Sequence, residues 1–386
     1  PGGMHALLYN DASENAVVVL FDPSNAVVSS KTIGSEKVRG LQFEPSGAHL
    51  VALISGDTNV WLTPSYFVKM KVPSLEEVWK KPVESPLVGL EKWTPDNADA
   101  IAVSNDRYML HTAGQCRDVD ANGAKTWCAG HQGDILRVLN ASTGEEITRE
   151  ANDWTASHSC KQMIGYNRNE DAFLYANAGD AFPKALQFTA KRASNYYGKL
   201  RFASGGTRDG RQSVTQGAIK ADPWGAGFAS VWSNGSTVGG ETPDKLYFAT
   251  IDASPGSLGF AQEPKRLFPN SPGTEIGGNV APLSKGRWLV AYTEAPTNLI
   301  TDYLKIFFDR WGIPESVRLD GGRVAIVNSA GELEGEPVDV AALGAPFPVE
   351  INHIVDRGVG LGWIYLDGPG KATAKIVHLR CRRTGS

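Results

Sequence analysis

Two histidines occupy closely similar settings. The stretch "WCAGHQGDILRVLN" (127–140) places His131 and Asp134 just ahead of an apolar run, and "WTASHSCKQMIGYN" (154–167) places His158 just ahead of another. Together with His353, these imidazoles could share one divalent metal, with Asp134 or Asp180 completing the set. Imidazole nitrogen and carboxylate oxygen suit Zn, Cu or Fe. Without a metal the same groups support acid–base catalysis. His131 or His158 would take a proton near neutral pH, and Arg39 would stabilise the resulting anion. Calcium is a weaker expectation. The run "DVDANG", with Asp118, Asp120 and Asn122, opens like an acidic calcium loop, but Ala129 stands at the twelfth place where a bidentate Glu is needed. An Asn-Gly hairpin accounts for it better. No GxSxG elbow, phosphate-binding glycine loop or dinucleotide fingerprint is present, which argues against a serine nucleophile, ATP and NAD. Cys160 lies beside His158, but its place in an apolar strand reads as a buried thiol.

These residues are far apart in the chain, so a repeating scaffold must bring them together. One hairpin type recurs: an apolar run ends in Asp or Asn and is followed within a few residues by a turn, usually containing Gly. It reads "VVVLFDPSNAVV" from Val17, "ILRVLNASTGEEI" from Ile135 and "LYFATIDASPGS" from Leu246. It returns as "LKIFFDRWGIPES" from Leu304 and "VAIVNSAGELEG" from Val324. A second type alternates with it: "VRGLQFEPSGAHLVALIS", "AIKADPWGAGFASVWS", "VAPLSKGRWLVAYTE" and "INHIVDRGVGLGWIYLD". Both combine a period of two with correct turn chemistry.

Pairing the two types gives units of four short antiparallel strands, beginning near residues 38, 98, 158, 214, 277 and 351 after a partial unit from residue 4. This pattern resembles the β-propeller superfamily over nearly the whole chain. The Gly-His and Trp-Asp signature of WD repeats is missing, so the resemblance implies an architecture and no particular family. The expectation is an all-β chain, a single propeller over residues 1–386 with seven blades. Six or eight remain open, because 320–345 reads either as an inserted hairpin or as part of a blade.

Propeller topology then sorts the polar residues. Connections between second and third strands, and between successive units, leave from one end of the blades; the remaining turns leave from the other. The first group is long and carries Asp57, Trp61, Trp127, His131, Trp154 and Asp180, with Tyr66 and Asp134 where third strands begin. The starts of first strands add Arg39, His158, Gln216, Asn279 and His353 to the same end. Asp57, Asp180, Gln216, Asn279, Trp61 and Tyr66 are therefore the expected substrate-binding residues, around catalytic His131, His158 and Arg39. Each could instead satisfy buried backbone or pack a blade edge. Seven-bladed carotenoid-cleaving oxygenases are similar in holding iron with four inner-strand histidines, which would make His5 the fourth. Some seven-bladed polysaccharide lyases resemble the metal-free arrangement, with Trp and Tyr stacking on sugar. The expected ligand is a carbohydrate or similar polar molecule, handled by an enzyme or, as the alternative, by a non-catalytic, lectin-like propeller.

The charge is −4 and its basic residues are scattered, which argues against nucleic acid. No apolar run approaches the ~20 residues that span a bilayer. No secretory leader is read at the start, and "PGGMHALL" is compatible with a processed end. Cys116 and Cys128 flank a turn-rich segment and could form a disulfide, which points to an extracellular or periplasmic compartment. The acceptor-like triplets Asn140-Ala-Ser and Asn234-Gly-Ser fit such a compartment.

Overall fold

The computed structural model describes residues 3–55, 65–83, 100–115, 132–152, 162–179, 185–192, 195–203, 212–236, 242–254, 257–271, 274–295, 321–340, 355–356, 360–367 and 373–380. These residues contain strands and no helix. Seven antiparallel sheets follow one another in chain order. Sheet 1 holds β1 (His5–Asn10), β2 (Ala16–Phe21) and β3 (Val27–Gly34). Sheet 2 holds β4 (Lys37–Phe43), β5 (His49–Ser55), β6 (Ser65–Lys71) and β7 (Glu77–Val83). Sheet 3 holds β8 (Ala100–Val103), β9 (Arg107–Gln115), β10 (Gln132–Asn140) and β11 (Glu146–Asn152). Sheet 4 holds β12 (Gln162–Asn167), β13 (Ala172–Gly179), β14 (Ala185–Arg192) and β15 (Asn195–Ala203). Sheet 5 holds β16 (Gln212–Ala221), β17 (Phe228–Ser236) and β18 (Thr242–Asp252), with the short β19 (Gly259–Phe260) and β20 (Lys265–Arg266) both on β18. Sheet 6 holds β21 (Thr274–Ser284), β22 (Arg287–Ala295), β23 (Gly321–Asn328) and β24 (Val338–Asp339). Sheet 7 holds β25 (Val355–Asp356), β26 (Gly360–Asp367) and β27 (Thr373–Arg380). The segment 321–339 thus supplies the third and fourth strands of sheet 6.

The recurrent Asp or Asn at the strand ends has a direct physical role. Asp22, Asn140, Asp252 and Asn328 each accept, through Oδ1, the N–H two residues on, at 2.8–3.0 Å. The side chain imitates a backbone turn and closes the hairpin. Gly144 and Gly331 complete two of these turns at φ of 71° and 76°, where a Cβ would be strained. The corresponding Asp309 lies outside the described residues.

Two compact units are present, 1–173 with 177–181 and 174–176 with 182–386. In the first, sheet 2 is sandwiched. The middle strand β5 is apolar on both faces, and Leu50, Val51, Ala52, Leu53 and Ile54 are all without exposure. Leu50, Ala52 and Ile54 pack on Ala16, Val18 and Leu20 of sheet 1. Val51 and Leu53 pack on Ile101, Val103, Tyr108 and Leu110 of sheet 3. The period of two divides one strand between two cores. The second unit repeats this stacking: Ala229 and Val231 of sheet 5 meet Val280, Trp288 and Val290 of sheet 6. First strands also neighbour one another, β4 with β8 and β8 with β12 in one unit, β16 with β21 and β21 with β25 in the other. Four-stranded meanders stacked face to face, with their first strands adjacent, are the blades of a β-propeller.

Candidate functional site

Antiparallel alternation gives every sheet two distinct ends. At the turn end lie the connections 22–26, 44–48, 104–106, 141–145, 168–171, 222–227 and 285–286. The described strands that flank 84–99, 116–131, 296–320 and 340–354 have those ends at the opposite, loop end of their sheets; of these stretches only Val340 is itself described. In sheet 1, β1 finishes at the loop end, opposite in direction to β4, β8 and β12. There Asn10 Nδ2 donates to Glu36 O (2.9 Å), and Asn10 Oδ1 accepts from Val38 N (3.1 Å). His5, which opens β1, consequently stands at the turn end. It is removed from any ligand set gathered at the loop end.

His131, His158, His353, Asp57, Asp180 and Trp61 lie outside the described residues, as do Trp127, Trp154, the calcium-loop candidates Asp118, Asp120 and Asn122, and all four cysteines. Arg39, Tyr66 and Asp134 lie in the loop-end halves of β4, β6 and β10. Gln216 and Asn279 lie near the middle of β16 and β21, deeper than strand starts, because these two strands extend further toward the loops than their apolar alternation indicates. Among the described residues no three His, Cys, Asp or Glu side chains gather as a metal site.

Three of the expected residues share a backbone device. A β-bulge interrupts the first strand of sheet 2 at Arg39, of sheet 5 just after Gln216, and of sheet 6 just before Asn279. A bulge inserts residues into one strand, bends it and redirects the neighbouring side chains. In sheets 5 and 6 the bulged residues are glycines because the strands come very close. A Cβ on Gly217 would stand 2.2 Å from Val231 O and 2.8 Å from Gly278 O.

At the loop end of the first unit, Lys80 Nζ pairs with Glu36 Oε1 (3.1 Å), donates to Ile33 O (3.3 Å) and lies 4.5 Å over the Tyr66 ring. The ammonium is thus shared between a carboxylate and an aromatic face. The other carboxylate oxygen, Glu36 Oε2, is buried and has no hydrogen-bond partner among the described residues.

At the loop end of the second unit, Glu275 near the start of β21 is completely buried. Its Oε2 accepts from Leu246 N (2.8 Å), and its Oε1 is 3.7 Å from Lys245 Nζ. Lys245 donates to Ser271 O (2.6 Å), Ser271 Oγ donates to Glu294 Oε1 (3.2 Å), and Glu294 pairs with Arg323 (2.7 Å). Burial pushes the Glu275 carboxyl above the usual range; the Leu246 N–H, Lys245, Ser271 and Arg266 oppose it without prevailing. Burial likewise lowers the Lys245 ammonium, against the pull of Glu275. Desolvation therefore draws both partners toward their neutral forms.

This has a measurable consequence. A group whose folded pKa is raised contributes stability that is present below its unfolded value, here 4.5, and lost as pH rises through the folded value. Urea melts of the wild type should therefore show a falling contribution from Glu275 above pH 4.5. In Glu275→Gln that part of the slope should vanish. Identical slopes in both proteins would refute the assignment.

The turn end of the first unit is built the opposite way. Glu44, 3% exposed, accepts from Tyr108 OH, from Lys69 Nζ (2.9 Å) and from His49 Nδ1 (2.7 Å). Burial alone would raise its pKa, but these three donors outweigh burial and hold it below the usual carboxylate range. Nearby, Arg107 Nη2 donates to both oxygens of Asp171, and Tyr166 OH donates to Asp171 Oδ1 (3.0 Å). Burial, with Asp171 beside it, pushes the Tyr166 phenol up to about 12. Glu44, with three donors, thus belongs to the turn end of the first unit, whereas Glu36 and Glu275, each with a buried oxygen that has no hydrogen bond among the described residues, lie at the loop ends of their own units.

Lys80, Glu36, Lys245 and Glu275 were not among the residues singled out by sequence. The only signal is a charged residue within or just outside an apolar strand, as in "TPDKLYF" and "GTEIGG". Many solvated strand ends share that feature.

The fold defines a β-propeller protein. No protein-family model and no curated protein matches the sequence. Among solved structures, the chain is similar to the β-propeller domain of the Trilobed protease from Pyrococcus furiosus. Identity is 9% over 94% of this chain and 88% of that one, with a TM-score of 0.48. It is also similar to the acylaminoacyl peptidase of Pyrococcus horikoshii, with 10% identity, 97% and 49% coverage and a TM-score of 0.47. The chain spans about half of that peptidase. TolB from Acinetobacter baumannii is similar at 12% identity, 98% and 76% coverage and a TM-score of 0.40.

Proposed function

We propose that the chain is an extracellular or periplasmic β-propeller enzyme that acts on a carbohydrate or similar polar substrate at the loop end of its sheets. The observation that carries this reading is that the described candidates Arg39, Tyr66 and Asp134 lie in the loop-end halves of their strands, where the widest sequence intervals between described strands also start and finish; residues at the ends of a rigid scaffold are where binding and chemistry concentrate. The bulges at Arg39, Gln216 and Asn279 add to it, since bulges re-aim side chains beside sites. In this reading His131 or His158 moves a proton and Arg39 stabilises the anion formed. Asp57, Asp180, Gln216, Asn279, Trp61 and Tyr66 bind the substrate. His131, His158, His353 and Asp134 are the donors that would hold a Zn, Cu or Fe ion, which would act as a Lewis acid there.

A glycan-array screen together with the metal content of the purified protein tests this. On a ligand so identified, His158→Ala should lower turnover by about 10²–10⁴-fold, the usual contribution of a general acid or base, while binding is largely retained. Binding without turnover in the wild type would leave a lectin-like propeller. An array with no bound glycan would remove the carbohydrate assignment.

A further inference from the structure

We infer that Asn140 is the acceptor for an N-linked glycan when the chain is made in a secretory pathway that transfers oligosaccharide to Asn-X-Ser; this rests on the extracellular reading above. Asn140 closes β10 at the turn end of sheet 3, in the triplet Asn140-Ala141-Ser142. Its Oδ1 accepts the N–H groups of Ser142 (2.8 Å) and Thr143 (3.2 Å). Its backbone is held by Glu145 O and by Gly144 N, each at 2.8 Å. Among the described residues no acceptor takes Nδ2, and Ser142 and Thr143 are exposed.

The turn does not need the Asn140 amide nitrogen for its attachment. Ala141 O accepts from Lys69 Nζ (2.9 Å) and from Trp79 Nε1 (3.2 Å), and Ala141 N donates to Asp106 O (2.9 Å). Gly144 lies against Trp79, since a Cβ there would stand 3.0 Å from the indole. Inward contacts therefore come from Ala141 and Gly144, and a sugar on Nδ2 breaks none of these hydrogen bonds. In the transfer, Nδ2 bonds to the anomeric carbon of a lipid-pyrophosphate-linked oligosaccharide. The anomeric C–O bond breaks, the pyrophosphate leaves with its electron pair, and Nδ2 gives up one of its two protons. The glycan would sit at the turn end and leave the loop end of the first unit uncovered. The second triplet is differently placed: Asn234 lies in the middle strand β17, opposite Val214 on one side and Lys245 on the other.

The test is secretion of the whole chain from a glycosylating eukaryotic host, with intact mass read before and after enzymatic removal of N-glycans and the site located by peptide mapping. One glycan at Asn140 is expected. It should be lost in Ser142→Ala, which breaks the triplet but keeps the Asn140 side chain closing the turn, and retained in Ser236→Ala. Secreted protein bare at Asn140, or modified at Asn234 instead, overturns the inference. Thiol counting on the same sample separates the two failures. A Cys116–Cys128 disulfide without a glycan sinks the acceptor alone, whereas free thiols at both positions sink the extracellular reading.

Discussion

Glu44→Ala is expected to destabilise the first unit by about 3–5 kcal/mol, the range for removing one partner of a buried ion pair. The substitution strands Lys69 Nζ, Tyr108 OH and His49 Nδ1, which now converge on one carboxylate. Lys69 would keep Ala141 O, at 2.9 Å, and the Tyr108 ring face, 5.6 Å away, but no carboxylate among the described residues. A second outcome separates charge from packing. Replacing the cluster by apolar groups of similar size, as Glu44→Leu with Lys69→Met and Tyr108→Phe, should recover most of the loss, because no buried charge is then left alone. The wild type should also show the opposite pH behaviour from Glu275. The folded pKa of Glu44 is lowered, so its contribution is present above the unfolded value of 4.5 and is lost as pH falls through the folded value. Chemical denaturation of the variants between pH 3 and 7 measures both effects. An Ala variant within about 1 kcal/mol of wild type, in the range of an exposed pair, would refute the assignment.

Gly217→Ala is expected to cost at least about 3 kcal/mol, the upper part of the range for overpacking a well-filled interior. The new methyl would meet backbone on two sides, Val231 O at 2.2 Å and Gly278 O at 2.8 Å, and neither can rotate away as a side chain could. Relief requires separating β16 from β17 or from β21. Gly40→Ala is the milder comparison. Its Cβ would first meet Ile101 Cδ1, at 3.2 Å, a flexible contact that gives by a few tenths of an ångström. Urea midpoints should therefore fall far more for Gly217→Ala than for Gly40→Ala. Equal effects would mean that the close approach of the two first strands is not rigid.

Much of the architecture is written locally. The apolar alternation specifies strands, and Asp22, Asn140, Asp252 and Asn328 specify turns through a bond that each side chain makes two residues away. Such signals need no distant partner, which is why a β-propeller is legible from the chain alone. The candidate site is less so. Tyr66 reads as an exposed sugar platform, yet Lys80 from the next strand stands over its ring. Arg39 reads as the start of a strand, yet it is the extra residue of a bulge defined only by pairing with β5.

The two glutamates mark the boundary between what the chain alone determines and what tertiary structure decides. Glu44 in "LQFEPSG" and Glu275 in "GTEIGG" both read as single acids beside apolar strands. Local sequence determined their positions, at opposite ends of first strands. It did not determine their charge. Glu44 meets donors from β5, β6 and β9, and its ionised form is favoured. Glu275 meets one backbone N–H and a lysine 3.7 Å away, with smaller help from Ser271 and Arg266, and desolvation prevails. The charge of a buried carboxylate depends on how many donors reach it, and those donors come from strands that only the folded sheets bring together.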